Sequence, residues 1–229
     1  MKFSIITATK DRPGWMPRCM VSVLAQTHMD WEHIILDGSR EPGLFQVPND
    51  PRVRYIYQPN FGPAEAFQLA LDQVTGEIVH PFSDDDRLAP EALAIVDRAL
   101  TFISQPSFDG FVAYDWLYGR TAYQDDRGRT LFHLGDEFNL DRLRQGYYLG
   151  GAIYWRKELT DELGGFDPDF DGAADYDLYL RFAEHTEPLH IPDVLYLYTD
   201  WQGTDSHVRA GNQQAQTARI IQRAREGVA

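Results

Sequence analysis

The chain has 229 residues, of which 43% are hydrophobic and 13% aromatic, and its formal net charge is −14. This length and composition suffice for one sizeable domain or two small ones and exclude global disorder. The negative charge argues against non-specific nucleic-acid binding, which needs a basic surface, and gives no attraction to anionic lipid.

The single cysteine, Cys19, excludes an internal disulfide and fits a reducing compartment. The apolar run at the amino terminus is too short for a signal peptide, and charged residues interrupt it at Lys10. No apolar stretch approaches the ~20 residues that span a bilayer. We therefore expect a cytoplasmic protein, and the sequence leaves its oligomeric state and any peripheral association with a membrane open.

The first hundred residues alternate strand and helix patterns, which implies parallel strands joined by right-handed crossovers. Beyond residue 100 the pattern changes to strands, a polar hairpin or loop, and helices. The predicted strands are residues 3–8, 32–36, 53–58, 78–82, 108–117, 150–155 and 192–198, the polar hairpin or loop is 118–135, and the predicted helices are 15–25, 63–74, one entered through Pro90, 159–163, 175–185 and part of 207–229.

Three carboxylates, Asp84, Asp85 and Asp86, follow the apolar strand 78–82 directly. Their mutual repulsion is unfavourable unless a cation or hydrogen-bond donors offset it. Hard cations such as Mg²⁺ and Mn²⁺ take oxygen ligands and are commonly held by one or two carboxylates plus substrate phosphates. The position predicts a metal and phosphate site at the carboxyl edge of a sheet. The alternative is a solvated turn and helix cap.

Glycine-rich phosphate loops are missing from this sequence. No G-x-G-x-x-G follows the first strand, and no G-x-x-x-x-G-K-[ST] occurs in the chain. We therefore expect phosphates to be bound with the help of carboxylates and a metal ion instead of a glycine loop.

Four segments carry a family resemblance through their order and spacing: FSIITATKDR at 3–12, SVLAQT at 22–27 leading to WEHIILDGS at 31–39, GE at 76–77 through the triplet at 84–86 to LAP at 88–90, and GGFD at 164–167 through ADYDLYLR at 174–181. Together they resemble the family 2 glycosyltransferases, which adopt the nucleotide-diphospho-sugar transferase (GT-A) fold. The resemblance implies an α/β protein with a mixed, mostly parallel central sheet flanked by helices. It further implies one catalytic domain over residues 1–229, with a nucleotide-binding lobe at about 1–100, an acceptor-binding lobe at about 101–200 and a helical tail at about 201–229.

The activity that the resemblance implies is inverting transfer of a sugar from a nucleotide-diphospho-sugar donor to a hydroxyl of a glycan or lipid-linked acceptor. The cofactor would be Mn²⁺ or Mg²⁺, held by a carboxylate triplet of the DXD type. A nucleotidyltransferase on the same fold is disfavoured because residues 8–13 lack the glycines of its phosphate loop. A degenerate, non-catalytic binding or scaffold subunit remains as the alternative.

On the donor side, the resemblance assigns Asp37 to the nucleotide base, which a carboxylate can bind only as an acceptor. Thr7 and Ala8 would lie against the nucleotide, and Arg12 would meet a phosphate in bidentate fashion. The competing interpretations are a turn residue at Asp37, plain core packing at Thr7 and Ala8, and a solvated arginine at Arg12.

For the metal, the resemblance indicates Asp86 as the main ligand. Asp84 and Asp85 would serve the ribose, the sugar or the water shell of the metal, with Asp84 as a further metal ligand. His207 could reach the metal from a later segment, although a surface histidine is the alternative. The family often places a histidine after a Tyr-Arg pair, and here residues 198–201 read YTDW instead.

Asp175 resembles the family's general base, which takes the proton of the acceptor hydroxyl. Its alternative role is the N-cap of the helix that follows. Asp177 is predicted to complement the dipole of that helix. Ala174 stands where the family often has a second acid, so a supporting carboxylate is missing. By family analogy, Gly150, Gly151 and Trp155 would form the floor of the acceptor cleft. Other aromatic residues that could face an acceptor sugar, although aromatic residues on strands more often belong to the core, are Trp116, Tyr118, Tyr147 and Tyr148.

Overall fold

The computed structural model describes residues 1–59, 61–103, 114–201 and 210–226. Within these residues nine strands form one mixed sheet in the order β3-β2-β1-β4-β8-β6-β9-β5, with β7 paired to β6. The strands are β1 (Phe3–Thr9), β2 (Trp31–Asp37), β3 (Val53–Tyr57), β4 (Ile78–Pro81), β5 (Arg87–Leu88), β6 (Trp116–Gln124), β7 (Thr130–Leu134), β8 (Ile153–Arg156) and β9 (Leu189–Thr199).

Seven α-helices flank this sheet in the part of the chain that the structure describes. They are α1 (Met16–Leu24), α2 (Pro63–Leu71), α3 (Ala92–Ile103), α4 (Leu140–Leu143), α5 (Lys157–Leu163), α6 (Ala174–His185) and α7 (Ala210–Arg225). A short 3₁₀ turn over Pro168–Phe170 precedes α6. Pro63 is the first residue of α2, where its missing N–H costs no hydrogen bond.

The first four strands pair in parallel, with β1 between β2 and β4. Strands β1 and β2 are buried on both faces because helices cover each side of this part of the sheet. Ile5 and Ile6 accordingly point into two different clusters, one under α1 and α3 and the other under α2 and α6. Cys19 lies fully buried in the first of these clusters. The carboxyl ends of β1, β2 and β4 therefore meet at one edge of the sheet.

The second half joins the same sheet through antiparallel pairs of β8 with β4 and with β6. The polar stretch predicted as a hairpin or loop forms the β6–β7 hairpin. Of the strand predicted at 108–117, residues 108–113 lie outside the described residues. The sequence did not indicate β5, whose Leu88 pairs with Tyr196 of β9 directly after the carboxylate triplet.

Four of the aromatic residues that could have faced an acceptor lie in the core instead. Trp116, Tyr118 and Trp155 are at most 1% exposed, and Tyr148 is also buried. Of the five, Tyr147 borders a cavity. None of the described helices is both long and apolar enough to cross a membrane.

Candidate active site

Two neighbouring cavities open at the edge where β1, β2 and β4 end. The first, here the Arg12 cavity, has a volume of about 320 Å³ and is lined by Ala8, Thr9, Lys10, Asp11, Arg12, Gly38, Phe61, Gly62, Pro63, Ala66, Phe67, Ser83, Asp84, Asp85 and Tyr198. The second, here the Asp175 cavity, has a volume of about 260 Å³, and its lining includes Asp86, Tyr123, Tyr147, Asp171, Asp175, Tyr179, Tyr196 and Gln213. Both cavities are bordered by Ser83 and Tyr198, so they adjoin.

Arg12 holds two of the three triplet carboxylates together. Its Nη1 lies 3.0 Å from Asp84 Oδ1 and 3.1 Å from Asp85 Oδ2. Thr9 Oγ1 donates to Asp84 Oδ2 at 2.7 Å, and the indole N–H of Trp201 donates to Asp85 Oδ2 at 3.1 Å. Burial and the neighbouring Asp85 charge still raise the pKa of Asp84 to about 6. These donors therefore offset only part of the repulsion between the Asp84 and Asp85 carboxylates.

Asp86 faces away from Arg12 and borders the Asp175 cavity. Its Oδ2 accepts the Tyr196 hydroxyl and its Oδ1 accepts the Thr199 N–H, both at 2.7 Å. The side chain is fully buried, and burial with the Asp85 charge raises its pKa well above the ordinary value. The role of main metal ligand stays a prediction, and in this geometry Asp86 anchors strand β9.

The predicted nucleotide-binding residues divide into two groups. Ala8 and Arg12 line the Arg12 cavity, as do Asp84 and Asp85. Thr7 does not line this cavity. It precedes Ala8 in β1 and is fully buried, and its hydroxyl forms a hydrogen bond of 2.9 Å with His33 Nε2. The structure thus places Thr7 in the core, which was its alternative interpretation.

Asp37 is also fully buried, directly before Gly38 of the cavity wall. Its Oδ1 accepts the Ser39 N–H at 2.9 Å, and its Oδ2 accepts the Tyr55 hydroxyl at 2.6 Å. These bonds make Asp37 a turn residue as well as a candidate for the base, because each carboxylate oxygen retains a second lone pair.

A divalent cation fits the Arg12 cavity with the help of a substrate. Among the described residues, no three His, Cys, Asp or Glu side chains are placed to hold a metal ion together. Two carboxylates, Asp84 and Asp85, do line the cavity with oxygen donors, which suits Mg²⁺ or Mn²⁺ when phosphates complete the shell. His207, the other predicted ligand, lies outside the described residues.

Asp175 stands in the first turn of α6, and its side chain is exposed to the cavity. Ala173, not Asp175, occupies the N-cap position, and no side chain caps the helix. Asp175 Oδ1 accepts the Tyr176 N–H at 2.8 Å, so the carboxylate does satisfy one first-turn donor. The surrounding protein desolvates it and raises its pKa above the ordinary value. The arrangement supplies a carboxylate that is open to a ligand and more basic than usual.

The carboxy-terminal helix contributes to this site in a way that the sequence pattern did not indicate. Gln213 of α7 lines the Asp175 cavity. The helix is held by Asp177, which is fully buried between Arg181 and Arg223 and forms an ion pair with each. Asp177 is therefore an anchor between α6 and α7, beyond its predicted place in the first helical turn.

Asp171 is a further residue that the sequence reasoning missed. Its Oδ1 accepts the Ala64 N–H at 3.1 Å, which satisfies a free donor at the start of α2. A Cβ atom on Gly62 would lie 2.3 Å from that oxygen, so a larger residue at position 62 would displace the Asp171 carboxylate. The D-G pair at 171–172 was a usable turn signal, but its partner is 107 residues away.

The pattern that defines glycosyl transferase family 2 matches residues 4–157, which is more than half of the chain. The chain belongs to glycosyl transferase family 2. Its curated relatives include the uncharacterized glycosyltransferase YwdF of Bacillus subtilis (strain 168), 27% identical over 208 residues that cover 87% of this chain and 75% of that protein. Chondroitin synthase of Pasteurella multocida (strain Pm70) is 27% identical over 80% of this chain but only 19% of its own length.

Two solved structures share the fold of this chain. TarS of S. aureus in complex with UDP superposes with a TM-score of 0.70 and 17% identity, covering 96% of this chain and 64% of that one. The mannosyltransferase PcManGT of Pyrobaculum calidifontis, in complex with GDP-Man and Mn²⁺, gives a TM-score of 0.63 at 17% identity and covers 96% and 62%. The chain thus spans less than two thirds of each, and it has the GT-A fold that the sequence resemblance implied.

Proposed function

We propose that this family 2 glycosyltransferase transfers a sugar from a nucleotide-diphospho-sugar to an acceptor hydroxyl with inversion, in the presence of Mn²⁺ or Mg²⁺. The observation that carries the proposal is the position of Asp175. Its carboxylate forms no ion pair with a described residue and lies in a cavity that adjoins the Arg12 cavity. This arrangement supports a base in one cavity and a phosphate site in the cavity beside it.

The donor diphosphate is assigned to the Arg12 cavity. Arg12 and Lys10 supply positive charge there, and a guanidinium can bind phosphate oxygens in bidentate fashion. A divalent cation held by Asp84 and Asp85 would neutralise negative charge that develops on the leaving nucleotide. Asp86 and His207 remain further candidate ligands, and Asp37 and Ala8 remain candidates for contact with the nucleoside.

Asp175 is proposed as the general base. Its raised pKa brings it closer to neutral pH, where proton transfer from a hydroxyl is better matched. A hydroxyl activated in the Asp175 cavity would approach the anomeric carbon from the side opposite the Arg12 cavity, which inverts the configuration. Ala174, in the place of a second acid, is buried against the core and takes no part.

The names of the solved relatives support a nucleotide-sugar donor. TarS has been solved with UDP-GlcNAc and PcManGT with GDP-Man and Mn²⁺, and we propose the same donor class for this chain. An acceptor that is a glycan or a lipid-linked sugar, a cytoplasmic location and a lobed single domain are parts of the same proposal.

Calorimetric titration with UDP, GDP and dTDP, each with and without Mn²⁺, tests the donor site. We expect one nucleotide to bind with metal dependence, and Asp85→Asn to abolish that dependence. Asp86→Asn is the matched comparison, because it removes a neighbouring carboxylate that does not line the Arg12 cavity. Loss in Asp86→Asn alone would identify Asp86 as the main ligand. Failure of all three nucleotides to bind would favour the non-catalytic binding module.

A further inference from the structure

Tyrosine is the most frequent residue type in the described lining of the Asp175 cavity. Tyr123, Tyr147, Tyr179, Tyr196 and Tyr198 all border it. Aromatic rings supply apolar faces, and their hydroxyls supply polar tips at fixed positions. A sugar ring has the same mixed character, since it presents C–H groups on its faces and hydroxyls around its rim. The cavity therefore suits a carbohydrate ring better than an alkyl chain.

Two of these tyrosines keep their hydroxyls available. Those of Tyr123 and Tyr179 form no hydrogen bond with another described residue, whereas the Tyr196 hydroxyl is committed to Asp86. Tyr179 follows Asp175 by one helical turn of α6, so both side chains lie on the same helix face. Burial, together with the Asp175 charge, raises the pKa of Tyr179 well above its ordinary value, so this hydroxyl remains a donor.

Charge distinguishes this cavity further. Its described lining includes the carboxylates Asp86, Asp171 and Asp175 and contains no Lys, Arg or His. A carboxylate or phosphate on the acceptor would lie near Asp175, with no cationic side chain among the described lining residues to neutralise it. Repulsion of this kind, in a site partly screened from water, weakens binding by about tenfold or more.

We propose that the acceptor ends in an uncharged sugar ring, which the Asp175 cavity binds through the hydroxyls of Tyr123 and Tyr179 while rejecting uronic acids and phosphorylated sugars. This inference rests on the proposed function, since it identifies the substrate class of the same site. It sets this chain apart from any relative whose acceptor carries negative charge.

Saturation-transfer NMR with pairs of methyl glycosides tests the proposal. The members of each pair differ only at C6, which is CH₂OH in the glucoside, galactoside and mannoside and a carboxylate in the matching uronides. With the nucleotide diphosphate and Mn²⁺ present, we expect at least one neutral member to bind about tenfold more tightly than its uronide. Equal or tighter binding of the uronides, or no binding of any neutral glycoside, would overturn the proposal. Nucleotide binding to the same protein shows separately whether the donor site is intact.

Two pairs of variants test whether the Tyr179 hydroxyl and the charge of the cavity determine which glycosides bind. Tyr179→Phe should weaken binding of the neutral glycoside by about fivefold through a lost hydrogen bond. Tyr154→Phe, which removes a buried hydroxyl that has no hydrogen-bond partner among the described residues, should not weaken it. Gln213→Lys places an ammonium in the cavity and should improve uronide binding by about tenfold. Gln214→Lys adds the same charge at an exposed position one residue further on and should leave uronide binding as in the wild type. Uronide binding that is unchanged in Gln213→Lys would argue against charge as the selector.

Discussion

The Arg12 cavity and the Asp175 cavity share a border at Ser83 and Tyr198, yet their carboxylates have different surroundings. In the Arg12 cavity a guanidinium bridges two carboxylates, and cations are at hand for an anionic ligand. In the Asp175 cavity the described lining is tyrosine-rich and holds no cation. Under the proposed function, this difference would let one acidic protein bind a diphosphate in one cavity and keep a basic carboxylate in the cavity beside it.

Asp175→Asn is expected to have the largest effect, because it removes the proposed base and leaves the Arg12 cavity intact. We expect kcat to fall by about 10²- to 10⁴-fold. Nucleotide affinity, measured by calorimetry on the same sample, should remain at the wild-type value. Asp161→Asn, a substitution at an exposed acid of α5, serves as the control. A kcat within threefold of wild type would contradict the assignment of the base.

Asp177→Asn tests whether the Asp175 cavity depends on α7. The substitution leaves Arg181 and Arg223 without their buried counter-charge, so the free energy of unfolding should fall by about 3 kcal/mol. Urea unfolding measures this change, and the acceptor KM should rise more than the donor KM. Arg225→Ala, an exposed change on the same helix, should alter neither quantity. Equal increases of the donor KM and the acceptor KM would show that α7 does not support the Asp175 cavity selectively.

Arg12→Lys tests whether Arg12 serves the Arg12 cavity alone. Lysine keeps the charge but cannot bridge Asp84 and Asp85 as the guanidinium does. We expect about tenfold weaker nucleotide binding by calorimetry, with an unchanged affinity for acceptor glycosides. Arg40→Lys, at a side chain that is 90% exposed, provides the control. An equal loss in both ligands would show that Arg12 supports the whole site and not one cavity.

Two buried histidines give stability a pH dependence that is separate from the chemistry of the site. His33 and His80 flank β1 at the level of Ile5, and burial lowers their pKa values to about 3 and about 4. An unfolded histidine titrates near pH ~6.5. The unfolded state therefore binds more protons below that pH, and the free energy of unfolding should decrease as the pH falls from about 6.5 to about 4.

Comparison of single variants isolates this contribution. Asp84 acts in the opposite direction, because its pKa is raised to about 6 and its protonation at lower pH relieves the repulsion with Asp85. We therefore expect His80→Gln to reduce the loss of stability between pH 7 and pH 5 relative to wild type, as measured by urea unfolding. His133→Gln, an exposed substitution, should retain the wild-type slope. Identical slopes in all three proteins would contradict the buried-histidine explanation.

Local patterns allowed much of the fold to be predicted. The apolar runs that form β1, β2 and β4 indicated a parallel sheet, and the carboxylates after β4 indicated the edge at which the candidate site lies. Such features depend on residues close together in sequence. Asp175 was identified from the family resemblance, and the helix predicted over 175–185 begins one residue earlier, at Ala174.

Other features depend on contacts between distant segments, which periodicity cannot show. The orientation of Asp86 is set by Tyr196 and Thr199, more than a hundred residues later, through the pairing of β5 with β9. Nothing in the local sequence distinguishes Asp85, which faces Arg12, from Asp86, which does not. Gln213 reaches the cavity because Asp177 and Arg223 join two helices across 46 residues. Its polar neighbours in α7 gave no signal of this role.

The docking of α7 also has a consequence for protein engineering. The helix lends Gln213 to the Asp175 cavity, and none of its described residues borders the Arg12 cavity. The helix is attached to α6 through the ion pair between Arg223 and Asp177, so we expect that it can be exchanged as a unit. A chimera that keeps this arginine and borrows the rest of the helix from another family member would change the choice of acceptor and retain the choice of nucleotide.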